Sequence, residues 1–350
     1  QGVEVPASLV AAARAGAGVN NIPVADYSKQ GIVVFNTPGA NANAVKELVM
    51  AGMLLATRGI LPGMAYVQSL THLSDAAEMS ALLEKEKARF AGGEIKGKTL
   101  GIVGLGAIGS LVADTAIKLG MKAIGYDPEI TVDAAWRLPS SVRRANSIDE
   151  VVRHADFISL HVPLVAATRH LVDATKLALA KPGAFLLNFS RDAIVDEDAV
   201  VAALRAQKLR GYLCDFPSAK LIGEPRVVAL PHLGASTAEA EENCAAMVVD
   251  QVREYLEHGT IANAVNFPNV EMARESPHRL AIANANVPNM LGQISSTVAR
   301  AGLNIHNMVN KSRGDMAYTL VDVDSAVDDA TIRSIASIDG VLSVRAIPAP

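Results

Sequence analysis

His232 stands in the turn-like run PHLGAST, directly after the apolar stretch Val227–Leu230. A histidine so placed suits general acid–base chemistry, and such a histidine is usually oriented by a carboxylate. The loop before it, CDFPSAKLIGEPR, offers Asp215 and Glu224, with Lys220 between them. Upstream, NFSRDAIVDEDAV (188–200) sets Arg191 just past an apolar run, where a guanidinium can hold a carboxylate bidentately. A third feature is GLGAIG, Gly104–Gly109, which fits G-x-G-x-x-G. Gly104 suits the tight turn, Gly106 the close approach of backbone to a diphosphate, and Gly109 close helix–sheet packing. Asp127, in GYDP, then follows at the end of the next apolar run, placed to accept hydrogen bonds from ribose hydroxyls. Pro128 and Glu129 come next, with no arginine to receive a 2′-phosphate, so the pattern selects NAD over NADP.

These groups need elements that carry them to one edge. From residue 98 onward, short apolar runs alternate with longer amphipathic ones. The pattern predicts strands at 98–104, 121–127, 156–162, 183–189 and 211–216, with helices at 107–119, 147–155, 172–180 and 196–207. Strands separated by helices imply crossover connections and a parallel sheet covered on both faces. The glycine pattern sits where a strand gives way to a helix, so the helix N-terminus would face the diphosphate. Long helices are expected over 41–60 and 236–259, bracketing the sheet domain. The prolines and polar residues of 266–278 read as a linker. Beyond it the pattern β-α-β-β-α-β restarts, with a hairpin around Arg313 and Gly314.

Composition narrows the function classes. The 350 residues are 50% hydrophobic and 19% charged with net charge −4, so neither nucleic acid nor an anionic membrane is an expected partner. Cys214 and Cys244 form no metal pattern, no metal is expected, and a reducing cytoplasm is the plain inference. No apolar run reaches membrane-spanning length. Because Gln1 opens the chain within what reads as a domain, an N-terminal strand and helix are expected to precede it.

The motifs RAGAGVNNI, FNTPGANANAVKE, GKTLGIVGLGAIG, HVPLVAATRHLVD, NFSR, VDEDAVVAAL, PHLGAST and VNFPNVEM together resemble the D-isomer-specific 2-hydroxyacid dehydrogenases, from about Ala11 to Ile347. The resemblance implies an α/β fold: a doubly wound Rossmann NAD-binding domain (42–235) inserted in a partial flavodoxin-like substrate domain (1–41 and 236–268). A ferredoxin-like ACT domain (277–350) would follow. It implies that Arg191 binds the substrate carboxylate and polarises the C2 oxygen, while His232 takes the C2 hydroxyl proton as hydride passes to NAD. Gly104, Gly106, Ala107, Ile108, Gly109 and Asp127 would hold the coenzyme's adenosine and diphosphate end. Val162, Pro163, Asn188, Phe189, Ser190, Asp215 and Gly234 would line the nicotinamide and its ribose. Gly16, Ala17, Gly18 and Val19 would offer amides to the substrate carboxylate. Arg14 would meet the phosphate of 3-phosphoglycerate, the substrate of the branch that this chain is most similar to.

Counting forward from Arg191, the family's histidine-orienting glutamate falls on Lys220. Three readings follow: Glu224 reaches His232 from a rearranged loop, His232 and Arg191 work alone, or the site is inactive. Lys220 could also aid anion binding. In the tail, Asn284, Asn286 and Asn304 match positions that bind an amino-acid effector, L-serine, between paired subunits. A homodimer through 236–259 and a tetramer through the tail are expected. The rival readings are a reductase of glyoxylate or hydroxypyruvate, and a non-catalytic NAD-binding regulatory protein.

Overall fold

The computed structural model describes residues 5–349, so residues 1–4 of the expected 1–41 segment and Pro350 of the expected tail domain lie outside it. The chain divides into two compact units, Ala42–Ala240 and the pair Gln1–Asn41 with Glu241–Pro350. In the unit containing both chain ends, β1 (Ala11–Ala13) and β2 (Val33–Phe35) pair in parallel.

The Ala42–Ala240 unit is built on a seven-stranded sheet. Its strands are β3 (Thr99–Val103), β4 (Lys122–Tyr126), β5 (Arg143–Arg144), β6 (Phe157–Leu160), β7 (Ala184–Asn188), β8 (Leu209–Cys214) and β9 (Val227–Ala229). Their order is β5-β4-β3-β6-β7-β8-β9, and every pair is parallel. The chain runs outward from β3 in one direction and then, from β6, in the other, so the strand order reverses beside β3. In such sheets ligands bind at the carboxyl ends of the strands, next to that reversal. Helices cover both faces. One core gathers Ile158, Leu160, Leu186 and Val200; the other gathers Val49, Ile102, Val112 and Leu187. The near-continuous apolar runs of β6 and β7 follow from this double burial.

The helix expected over 41–60 is shorter in the structure. It spans Ala42–Thr57, and a second helix, Ile60–Ser69, leaves it at 66°. Gly59 makes the corner at φ 38°, and a Cβ there would lie 2.6 Å from the Phe90 carbonyl oxygen. A third helix, Ala76–Glu86, is capped by Asp75, whose carboxylate accepts the Glu78 N–H at 2.8 Å. Among the described residues, no single helix is long and apolar enough to cross a membrane.

The helix Ala238–His258, most of which belongs to the other unit, ends at Gly259, which takes φ 72°. The tail supplies β10 (His278–Ala285), β11 (Ile305–Arg313), β12 (Met316–Val323) and β13 (Val341–Ile347), with helices Met290–Arg300 and Asp329–Ala336. The order β11-β12-β10-β13 with antiparallel neighbours is the expected ferredoxin-like arrangement. Alternation along β10 splits its side chains between two cores. Leu280 and Ile282 meet the two helices through Ile294, Val298 and Ile335. Ala281 and Ala283 face the opposite way, into a core with Phe35, Tyr255, Phe267 and Val270.

Residues 266–278 are therefore not a solvated linker. Phe267 and Val270 are 0% and 1% exposed, and Asn266 is turned inward. Its Oδ1 accepts the Val34 N–H at 2.9 Å, and its Nδ2 donates to Ser28 Oγ and the Ile32 carbonyl. Polar side chains here satisfy buried backbone, which composition alone does not reveal. The same holds of Arg279, 1% exposed, whose fork meets Asp322 at 2.6 and 2.8 Å. Its remaining N–H groups donate to the carbonyls of His258, Met272 and Ala273.

Candidate active site

The coenzyme end of the Ala42–Ala240 unit starts at the turn between β3 and the helix Ala107–Lys118. Gly104 adopts φ 91°, and a Cβ on it would collide with the His161 carbonyl oxygen. A Cβ on Gly109 would strike the carbonyl of Gly104. These two glycines press strand, helix and the following loop together. At Gly106 a Cβ would meet nothing within 4 Å, so the space before the helix is open. No side chain caps this helix, leaving the first-turn N–H groups of Ala107, Ile108 and Gly109 to face that space. Asp127 is half-buried and fixed by two backbone donors, Leu105 N at 2.8 Å and Glu129 N at 2.9 Å. Each oxygen keeps lone-pair capacity for a ribose hydroxyl. The residues present fit a dinucleotide.

Arg191 and His232 are carried on the loops after β7 and β9. Asn188, fully buried at the end of β7, donates to the Arg191 carbonyl at 2.7 Å and accepts the Ser190 N–H at 3.2 Å. Ser190 Oγ in turn donates to the Leu160 carbonyl at 2.6 Å. The NFSR turn is thereby braced on β6 and β7, while the Arg191 side chain stays exposed. Phe189, between them, is buried in the core. Val162 is half-buried and Pro163 exposed after β6.

Asp215 shapes the other loop. It is 1% exposed, and its oxygens accept the N–H groups of Leu233 and Gly234, both at 2.7 Å. Its own carbonyl accepts the His232 N–H at 3.0 Å. His232 is held in the left-handed region at φ 57°, a conformation costly for a non-glycine residue. Between the two loops stands Phe216. The His232 ring lies 4.6 Å from its centroid, and the Arg191 guanidinium carbon lies 5.6 Å from it. The structure thus brings the two catalytic candidates onto one aromatic ring. Phe216 carries no local sequence signal and was not a candidate.

Glu224, the expected partner of His232, makes no hydrogen bond to it in the structure. Its carboxylate faces Arg205 at 3.7 Å, and it does not line the cavity of about 320 Å³ beside His232. Asp192 and Glu197 line that cavity instead, together with Asp215 and Phe216. Glu197 accepts a hydrogen bond from Ser218 Oγ at 2.7 Å. The loop after Cys214 folds back toward the start of the helix Glu197–Arg205, a route that spacing from Arg191 does not show. Lys220 is held at 2.7 Å by both oxygens of Asp198, which raises its pKa by direct hydrogen bonding. Among the described residues, no carboxylate hydrogen-bonds the His232 ring. His161 presents a different case. Burial alone pulls its imidazole down to about 4, its Nε2 meets Ser159 Oγ at 2.8 Å, and its Nδ1 has no partner among the described residues.

The remaining candidates lie in the unit with both chain ends. Gly16, at φ 152°, gives its N–H to Thr37 Oγ1 at 2.7 Å, so this amide is already occupied. The amides of Ala17, Gly18 and Val19 donate to no acceptor among the described residues. Arg14 Nη1 donates to the Gly18 carbonyl at 2.6 Å and to Asn20 Oδ1 at 3.0 Å, closing the turn on itself. In the tail, Asn284 is buried and accepts from Thr319 Oγ1 at 3.3 Å. Asn286 donates to the Gly314 carbonyl at 3.0 Å. Asn304 sits at the opposite end of the sheet, since Ile305 pairs with Val323 while Asn284 pairs with Ala317. One chain therefore does not gather the three asparagines.

Residues 50–234 match the profile of the D-isomer specific 2-hydroxyacid dehydrogenase NAD-binding domain. The chain is 34% identical over 330 residues to a D-3-phosphoglycerate dehydrogenase of Methanocaldococcus jannaschii, covering 92% of this chain and 59% of that protein. It is 31% identical over 358 residues to a D-3-phosphoglycerate dehydrogenase of Haemophilus influenzae, covering 99% of this chain and 83% of that one. Among solved structures, apo D-mandelate dehydrogenase of Rhodotorula graminis is similar at 27% identity and a TM-score of 0.65. That match covers 75% of this chain and 76% of the other. The chain spans less than two thirds of the length of the Methanocaldococcus relative.

Proposed function

This chain belongs to the D-isomer specific 2-hydroxyacid dehydrogenases, and on that premise we propose that it oxidises D-3-phosphoglycerate to 3-phosphohydroxypyruvate with NAD, the first step of L-serine synthesis. The observation that carries the proposal is the contact of both Arg191 and His232 with the ring of Phe216. Arg191 holds the substrate carboxylate and polarises the C2 oxygen, a task matched to a planar fork of donors. His232 accepts the C2 hydroxyl proton, and in reverse the imidazolium returns it to the forming alkoxide. NAD, bound at the glycine turn, supplies the hydride acceptor. Asn188 and Asp215 brace the backbone of the two loops that carry these side chains. Arg14 is assigned to the 3-phosphate.

We further propose that an amino acid, L-serine, regulates the enzyme between two copies of the tail. Edge strand β11 is open to pairing with its own copy across a two-fold axis. Antiparallel pairing there would bring Asn304 of one copy toward the hairpin end, with Asn286, of the other. A homodimer or homotetramer accompanies this reading.

The test is NADH oxidation with 3-phosphohydroxypyruvate, with and without L-serine. Turnover inhibited by serine supports both proposals, and turnover indifferent to serine removes the effector alone. Binding of NADH without turnover of any 2-oxo acid would favour a regulatory protein. Arg14→Gln should depress turnover of the phosphorylated substrate far more than that of hydroxypyruvate. Equal losses would remove the phosphate assignment and favour a hydroxypyruvate or glyoxylate reductase.

A further inference from the structure

An open cleft of about 530 Å³ lies in the unit with both chain ends, and none of its lining residues is assigned above. Its polar wall comes from Asn36, Asn263, Asn269 and Arg313, and its apolar wall includes Pro38 and Pro268. Arg313 is the one ionisable residue of the lining, and no carboxylate lies among them. Arg313 is exposed, and its guanidinium fork matches the geometry of a carboxylate or phosphate. Here Nη1 donates to the Ala264 carbonyl at 2.9 Å, and the other N–H groups of Arg313 have no acceptor among the described residues. The carboxamides around it are only partly engaged. Asn36 donates to the Ala17 carbonyl, and Asn269 Oδ1 accepts the Asn263 N–H. That leaves Asn36 Oδ1, Asn269 Nδ2 and the side chain of Asn263 without partners among the described residues. Asn263 is also held at φ 58°, one of few non-glycine residues so placed.

The geometry points to a binding site for a small organic anion, with a phosphate or carboxylate head on Arg313 and a body against the two prolines. The volume is within the ordinary range for small-molecule pockets. Its position gives binding a structural reach. Arg313 closes strand β11 at the hairpin whose turn accepts hydrogen bonds from Asn286, through the carbonyls of Gly314 and Asp315. The opposite wall, Asn36 to Pro38, contains Thr37, which fixes Gly16 of the Arg14 turn by two hydrogen bonds. An anion seated between them would tie the tail hairpin to that turn.

The test uses the unaltered chain. Arginines are modified with phenylglyoxal and mapped by mass spectrometry, with phosphate or succinate added against chloride at equal ionic strength. Modification of Arg313 should slow saturably, by about threefold when the anion stands at twice its dissociation constant. Exposed Arg300 should react at an unchanged rate. Protection by phosphate alone assigns a phosphate head, and protection by succinate alone assigns a carboxylate head. Equal slowing at Arg300, or no saturable protection at Arg313 with either anion, would overturn the proposal.

Discussion

Phe216 is the residue on which the proposed catalytic pair depends, and its replacement by leucine tests that dependence with little change in volume. The ring supports Arg191 through a cation–π contact at 5.6 Å, worth about 0.5–1 kcal/mol at an exposed site. It supports His232 through a tilted aromatic contact at 4.6 Å, worth about 0.5–1.5 kcal/mol beyond buried area. Phe216→Leu removes both. If the two losses are felt in the transition state, they sum to about 1–2.5 kcal/mol, or about 5- to 70-fold in kcat/KM. The glycine turn and Asp127 follow β3 and β4, strands that are not neighbours of β8, which Phe216 follows, so NADH affinity should stay close to that of the unaltered chain. The assay is steady-state oxidation of NADH at 340 nm with 3-phosphohydroxypyruvate, beside direct NADH titration. Circular dichroism confirms the fold. A variant within about twofold of the parent in kcat/KM would show that Arg191 and His232 are positioned without this ring.

Three further outcomes are expected. Glu197→Gln should lower kcat/KM more than Glu224→Gln does, because Glu197 lines the cavity beside His232 whereas Glu224 faces Arg205; the reverse ranking in steady-state kinetics would restore Glu224. Arg279→Met should cost about 3–5 kcal/mol in urea unfolding by stranding buried Asp322, and Arg279→Met with Asp322→Leu should recover much of it; equal instability of the two would count against the ion pair. His161, depressed to about 4 by burial, binds its proton more readily when unfolded, so its contribution is complete above about pH 6.5 and is lost as pH falls toward 4. Between pH 7 and 5 this amounts to about 2 kcal/mol, and His161→Gln should flatten the urea midpoint over that interval; an undiminished pH dependence would assign it to other groups.

The sheet of the coenzyme unit was legible because its signals are local. Apolar runs buried on two faces, glycines forced by close backbone contacts, and helices of ordinary length each leave a mark within a few residues. What was not legible depends on distant partners. Gly59 turns the chain because the Phe90 carbonyl occupies the space of its side chain, and nothing between 41 and 60 announces Phe90. Asn266 falls in a stretch that reads as a polar linker, yet it is buried, like Arg279, because each completes the hydrogen bonds of backbone brought in from elsewhere. The acid near His232 was sought along the chain, whereas Asp192 and Glu197 reach its cavity from the loop and helix after β7. Arg191 and His232 stand out as residue types at strand ends, but the ring that both of them contact is visible only in space.

The double-sided packing of β10 bears on how such a protein is taken apart. One side of the tail sheet is closed by its own helices, and the other is closed by Phe35, Tyr255, Phe267 and Val270. A chain ended at residue 276 would uncover those aromatic side chains and leave the carbonyls of Met272 and Ala273 without the Arg279 fork. The excised tail would show the matching bare face. Neither fragment would be a faithful stand-in for the whole, and loss of activity after such a cut would report a spoiled fold rather than a missing regulator. Recombination between relatives would for the same reason succeed more often when the join carries 241–350 as one inheritance than when it falls in the proline-containing stretch that looks, by letters alone, like the natural seam.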